Sequence, residues 1–362
     1  MASEAVRGEK HRFMRLSAFN AELRSRRAPT NDFPGVRSAA RRVGRLIATP
    51  LRMGCRILDL EGRRVRVTDL DEPIWAGMSP TRGDVLNYYL DVADELLAYL
   101  LRHPISGSVR RAEVVARWNF QRGGLPGLPS WVPRCRGWDD LRMQAVDCPL
   151  VDDRATLAQL VSAGWLSFHP WNASIDVPDR PDRMVFNLDP TEIGFREVRH
   201  AALLIRDLLA RYHIKSWVKT SGGAGVHVLV PLKPMHGFSE VREAATFILR
   251  AARAREPKLF TGEVRPSRRR GRIRIEVERN RSGAALVGAF SMRAEAPLVS
   301  MPVEWQELEG PLYPEDFPLN RVRERLDTVG NPLASFFAEP QSIDLVLGRL
   351  RTRYRPRLVP AM

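Results

Sequence analysis

Lysine is scarce in this chain, standing only at Lys10, Lys215, Lys219, Lys233 and Lys258, although Lys and Arg together number 57. The positive charge is therefore almost all guanidinium, which stays protonated at any working pH and grips phosphate bidentately. Cysteine is scarcer still. Cys55, Cys135 and Cys148 are too few and too scattered for a disulfide framework or a CxxC zinc site, and they suit a reducing compartment. No apolar run approaches the roughly 18 residues of a membrane span, and the N-terminus lacks a signal-peptide core. A cytoplasmic protein without a membrane partner is expected. Carboxylates are also outnumbered: 42 Asp+Glu leave a formal net charge of +15. Such an excess favours polyanions, because cationic side chains displace counterions from phosphates. The plainer alternative is a generally basic protein with an Arg-heavy composition.

What is present is enough for a substantial core, with 44% hydrophobic residues over 362 positions. Residues 1–54 are rich in Arg (Arg24, Arg26, Arg27, Arg41, Arg42, Arg45) and poor in carboxylates. They read either as a basic arm that touches phosphate or as a disordered extension or misassigned start. Residues 55–350 carry a globular pattern, and 351–362 form a basic tail. "RRVRVTDLD" alternates like a strand, and "SPTRGDVLNYYLDVADELLAYLL" reads as one capped amphipathic helix. "RGGLPGLPSWVP" reads as a long loop and 153–167 as a helix. Strands are expected at 183–189, 215–220, 226–232 and 272–278, with helices at 195–212 and 239–255. This alternation implies a mixed α/β domain.

Four segments could carry chemistry. In "RMVFNLDP" Asn187 and Asp189 share one strand face, opposite Phe186 and Leu188, and two oxygens at that spacing can meet a cation. A polar strand end is the commoner meaning. In "KTSGGAGVHVLVPL" the glycines let backbone N–H groups converge on an anion, with Ser221 and His227 at hand; a simple turn is the alternative. In "RPSRRRGRIRIEVERN" a basic loop feeds a strand with Arg274, Glu276 and Glu278 on one face, suited to metal-bound phosphates or to plain Arg–Glu pairing. "SFHPWNASIDVPDRPDR" places His169 just ahead of the first of these.

Together and in this order, from about residue 55 to about 350, these segments resemble the polymerase domain of bacterial ligase D, in the archaeo-eukaryotic primase-polymerase superfamily. "AFSMRAEAPLVSMPVEWQEL" extends the likeness. The resemblance implies a primase-polymerase fold, a central mixed sheet flanked by helices. It implies nucleotidyl transfer to a 3′-hydroxyl, with Mn or Mg, during end joining or gap filling. By position, Asn187, Asp189 and Glu276 take the three catalytic metal-ligand places. His169, Ser221, His227, Arg269 and Arg293 take nucleotide-binding places, and Phe120 and Arg122 lie where the family contacts DNA. The implied partners are DNA ends or gapped DNA, a nucleoside triphosphate, and, since no Lys-x-Asp-Gly motif is present, a separate ligase and end-binding protein.

Departures fall on the metal places. The family has Asp at the positions of Asn187 and Glu276, and a Lys where this chain has Ala224. Asn loses a charge that Mg²⁺ needs, and Glu shifts its carboxylate by roughly 1 Å, enough to slow a reaction about a hundredfold. Weak nucleotidyl transfer is expected, the alternative being a degenerate DNA-end and nucleotide-binding protein that supports a separate ligase. Glu278 either restores part of the charge, about 6.6 Å along a regular strand, or pairs with Arg274 or Arg279.

Overall fold

Alternating strands and two strongly amphipathic helices set the architecture. In the computed structural model, residues 55–75, 77–78, 80–110, 118–123 and 127–353 are described. The basic arm read at 1–54 and most of the tail at 351–362 lie outside them. The chain opens with a hairpin, β1 (Cys55–Leu60) and β2 (Arg63–Thr68), in which Val65 and Val67 are buried and Arg64 and Arg66 exposed.

The helix expected after residue 80 is two helices, α1 (Arg82–Asp91) and α2 (Ala93–Leu100). Thr81 and Asp84 form a reciprocal cap at its start, and Val92 leaves helical values at φ −103°, ψ 14°. β3 (Ile105–Arg110), β4 (Trp118–Gln121) and β7 (His169–Pro170) make a small antiparallel sheet in the order β4-β3-β7. β5 (Arg134–Asp139) and β6 (Gln144–Pro149) make a separate hairpin. α3 (Arg154–Ser162), capped by Asp153, packs on α1 and β2.

The central sheet has six strands in the order β11-β12-β8-β10-β9-β13. These are β8 (Arg183–Pro190), β9 (Trp217–Thr220), β10 (Val226–Pro231), β11 (Phe260–Thr261), β12 (Ile273–Ile275) and β13 (Pro302–Val303). Only β11 and β12 run parallel, so the sheet is mixed, as expected. α4 (Phe195–Ala210) buries Val198, Ala201, Ala202, Ile205 and Leu209, the i, i+3, i+4, i+7 stripe of a helix lying on a sheet. α5 (Phe238–Arg255) buries Val241, Ala244, Ala245, Ile248 and Ala252 in the same way, and both helices pack on β8. They cover the side bearing Phe186 and Leu188, which are fully buried; Asn187 and Asp189 face the other way. α6 (Trp305–Glu309), α7 (Val322–Val329) and α8 (Asp344–Arg353) complete the fold, and α8 runs across residue 350. Among the described residues no helix is long and apolar enough to cross a membrane.

Candidate functional site

Register brings the singled-out side chains together. His227 on β10 stands opposite Asn187 on β8 and Lys219 on β9, and Arg274 on β12 stands opposite Asp189. Residues directly opposite one another project to the same face, so the uncovered face of the sheet carries Asp189, Arg274, Asn187, His227 and Lys219. The Glu276 amide donates to the Asn187 carbonyl at 2.9 Å and adds Glu276 to this row.

The strand expected over 272–278 ends at Ile275. Glu276 takes φ −88°, ψ 76°, and Val277–Arg279 form one turn of 3-10 helix. The regular spacing from Glu276 to Glu278 therefore does not exist. Glu278 instead pairs with Arg274, its Oε2 3.2 Å from Nη2, and the other guanidinium nitrogen of Arg274 pairs with Glu276. Glu276 Oε2 also accepts from Arg279 Nε at 2.9 Å and from Asn187 Nδ2 at 2.8 Å. Burial raises the Glu276 carboxyl, but Arg279, Asn187 and Arg274 outweigh it and hold it below its ordinary value. Asp189 Oδ2 accepts from Arg269 Nη1 at 2.7 Å. Arg269, 3% exposed in its side chain, also donates to the Asp189 and Val264 carbonyls and to Thr191.

The His227 end of the row gathers basic side chains. Lys219 is fully buried, and its Nζ reaches His227 Nδ1 (2.8 Å), the Val287 carbonyl (2.8 Å) and Ser300 Oγ (2.5 Å). Burial and then Arg293 push the Lys219 amine itself well below the ordinary lysine value. Burial, then Lys219, Arg293 and Arg279, push His227 well below the ordinary histidine value. His169 is lowered by burial and then by Arg293, Lys219 and Arg279, which sets both rings in one cationic neighbourhood. The His169 ring bonds Ser167 Oγ at 2.9 Å and meets Phe120 edge-on at 5.0 Å. Arg122 lies over the Phe120 ring and pairs with buried Asp139 at 3.3 Å. Arg293 keeps a loose partner, Glu295, at 3.3 Å.

The glycine-rich turn is held from within. Ser221 Oγ accepts from the amides of Gly223 (3.3 Å) and Gly225 (3.1 Å), and Gly222 needs its φ of +70°. A Cβ on Gly225 would stand 2.5 Å from the Leu188 carbonyl, between Asn187 and Asp189 in sequence. Gly225→Ala is expected to destabilise the protein by about 1–3 kcal/mol and to displace β10 from β8. Denaturant unfolding checks it; an unchanged midpoint would mean that the turn gives way freely.

Geometry thus groups Asn187, Asp189, Glu276, Arg269 and His227 on one sheet face, and His169, Phe120 and Arg122 beside it. Sequence reasoning gave no role to Lys219, whose only signal is its strand position two residues from the turn. A pair of divalent cations does not fit this arrangement. Asn187 is neutral, both remaining carboxylates are held by guanidinium groups, and no group of three His, Cys, Asp or Glu among the described residues could hold a metal.

The model of the LigD primase-polymerase domain matches residues 81–333. A multifunctional non-homologous end joining protein LigD of Pseudomonas aeruginosa is 35% identical over 296 residues, covering 79% of this chain and 34% of that protein. The bifunctional end joining LigD of Bacillus subtilis is 27% identical over 302 residues, covering 80% and 47%. The chain thus spans between a third and a half of the length of these relatives. Among solved structures, the polymerase domain of Mycobacterium tuberculosis ligase D in complex with DNA superposes with a TM-score of 0.70 at 24% identity, over 77% of this chain and 99% of that one. Sequence match and shared fold agree: this chain belongs to the LigD primase-polymerase family.

Proposed function

We propose that this chain is a primase-polymerase module of DNA end joining and gap filling that holds DNA ends and a nucleoside triphosphate firmly and transfers nucleotide weakly. The observation that carries this is the contrast across one sheet face. The phosphate side keeps Arg293, Lys219, His227 and His169 together, while the carboxylate side is neutralised by Arg269, Arg274 and Arg279. An anion is favoured there and a cation is not. A full polymerase or primase using Mn or Mg is the second reading, supported by Asp189, whose carboxylate is 42% exposed on that face. A separate ligase and end-binding protein would complete joining, in the cytoplasm where the DNA is. The Arg-rich residues 1–54 would add phosphate contacts.

Primer extension on gapped DNA with Mn²⁺ or Mg²⁺, beside nucleotide and duplex titrations, tests the proposal. Both ligands should bind while extension stays slow; rapid extension would establish the second reading. Duplex affinity should fall steeply with salt, by about 10³ or more between about 50 and 200 mM if some six phosphates are contacted. Arg293→Ala and His227→Ala should each weaken triphosphate binding about 10- to 150-fold, the equivalent of about 1.5–3 kcal/mol for a charged hydrogen bond, and leave duplex binding within about twofold. Equal losses for both ligands would put these residues on the DNA path.

A further inference from the structure

We propose that Arg274 is the resident cation of this site: its guanidinium stands between Glu276 and Glu278 in the place of a divalent metal and excludes one. The inference rests on reading this face as the polyphosphate site and deepens it, since phosphate would then meet arginine directly.

Position supports it first. Arg274 starts from the strand position directly opposite Asp189 and reaches both carboxylates of the following turn, Glu276 through Nη1 and Glu278 through Nη2 at 3.2 Å. A planar fork suits that bridging, and its charge does not depend on pH. Arg274 and Glu276 are both largely buried, so each lacks water to replace the other.

The chemistry of the neighbours points the same way. The second oxygen of Glu276 already accepts two donors, Arg279 Nε at 2.9 Å and Asn187 Nδ2 at 2.8 Å. Asn187 therefore offers Glu276 a proton donor where a further carboxylate would have offered repulsion. Three carboxylates (Asp189, Glu276, Glu278) face three guanidinium groups (Arg269, Arg274, Arg279), leaving no surplus negative charge for a dication. Arg269 is not free to leave either, because two carbonyls and Thr191 hold it as well as Asp189. Mg²⁺ and Mn²⁺ prefer anionic oxygen ligands. A metal arriving here would have to expel Arg274 and lie beside Arg279.

The broken strand belongs to the same device. By leaving strand geometry at Glu276, the backbone turns Glu278 back to where the far arm of Arg274 can reach it. Had β12 continued, the two glutamates would be spaced as on a regular strand, about 6.6 Å apart along it.

The test reads Mn²⁺ binding to the full chain by loss of the free-ion electron paramagnetic resonance signal, without nucleotide. Wild type should leave the signal undiminished. The double variant Asn187→Asp with Arg274→Leu removes one cation and adds one anion, and it should bind Mn²⁺ at least about tenfold more tightly. Adding Glu276→Gln to it should abolish the gain, placing the ion at this site. Asn187→Asp with Arg274→Gln repeats the measurement if the leucine variant fails to fold, judged by thermal unfolding. The proposal is overturned if wild type binds Mn²⁺ and Glu276→Gln abolishes that binding, or if a folded double variant gains none. A fluorescent nucleoside triphosphate titrated in EDTA and in Mn²⁺ completes the set. Equal affinity in both supports resident arginine, and binding only with Mn²⁺ overturns it. No binding in either defeats the proposed function, while the Mn²⁺ titration still decides the role of Arg274.

Discussion

Replacing Arg183 with leucine is expected to remove about 3–5 kcal/mol of stability, the range for breaking a buried, hydrogen-bonded ion pair from one side. Arg183 opens β8 and is only 1% exposed. Its Nε lies 2.9 Å from Asp182 Oδ1, and Nη2 lies 2.6 Å from His103 Nε2, which itself lies 2.7 Å from Asp182 Oδ2. The guanidinium also sits over the rings of Tyr99 and Phe337, at 5.0 and 4.9 Å. Burial raises the Asp182 carboxyl, yet Arg183 and His103 together hold it well below its ordinary value. Leucine fills much of the space but leaves that carboxylate facing one histidine. Arg183→Lys should recover only part of the loss, because an ammonium lacks both the fork and the planar stacking surface. Denaturant unfolding measures it, and a loss below about 1 kcal/mol would show that Asp182 finds water or another partner. The consequence reaches the site, since Asn187 and Asp189 lie four and six residues along the same strand.

How much of this could be read in the sequence depends on the range of the interactions. α4 and α5 follow from periodicity, and β8, β9 and β10 come within two residues of expectation because Pro, Gly and alternation punctuate them. The β5–β6 hairpin leaves little signal: apart from its ends it is largely exposed, and Arg136 and Asp147 merely face each other across it. β12 stops early because Glu276 collects donors from Asn187, Arg274 and Arg279, and no alternation pattern records where a side chain finds its partners. The same limit applies to Arg269, 80 residues from the carboxylate it holds. The chain order of the motifs showed which segments meet. Which guanidinium neutralises which carboxylate required the fold.

Acid should weaken the fold well before its carboxylates titrate, because His169 and His227 are buried among cations. Burial and then the charges of Arg293, Lys219 and Arg279 hold His169 well below its ordinary value of 6.5; for His227 the order after burial is Lys219, Arg293, Arg279 and His169. In the unfolded chain both rings take up a proton as pH falls through 6.5, and in the folded chain they do not. The unfolded state then binds more protons, so stability falls with pH. The contribution is complete above 6.5 and is lost progressively between there and the lowered folded values. Each ring adds a slope of about 1.4 kcal/mol per pH unit within that window. Glu276 and Asp182, also lowered, add the same sign only below about 4.5 and 3.8. Unfolding followed between pH 7 and 5 should therefore show a steep loss, roughly halved in a His169→Gln variant. A bound triphosphate works in the opposite direction. Its negative charge beside the rings favours their protonation, so triphosphate affinity should rise as pH drops from 7 towards 5.5 and flatten the stability loss. An affinity that falls over that range would place the phosphates away from both histidines and remove them from the nucleotide site.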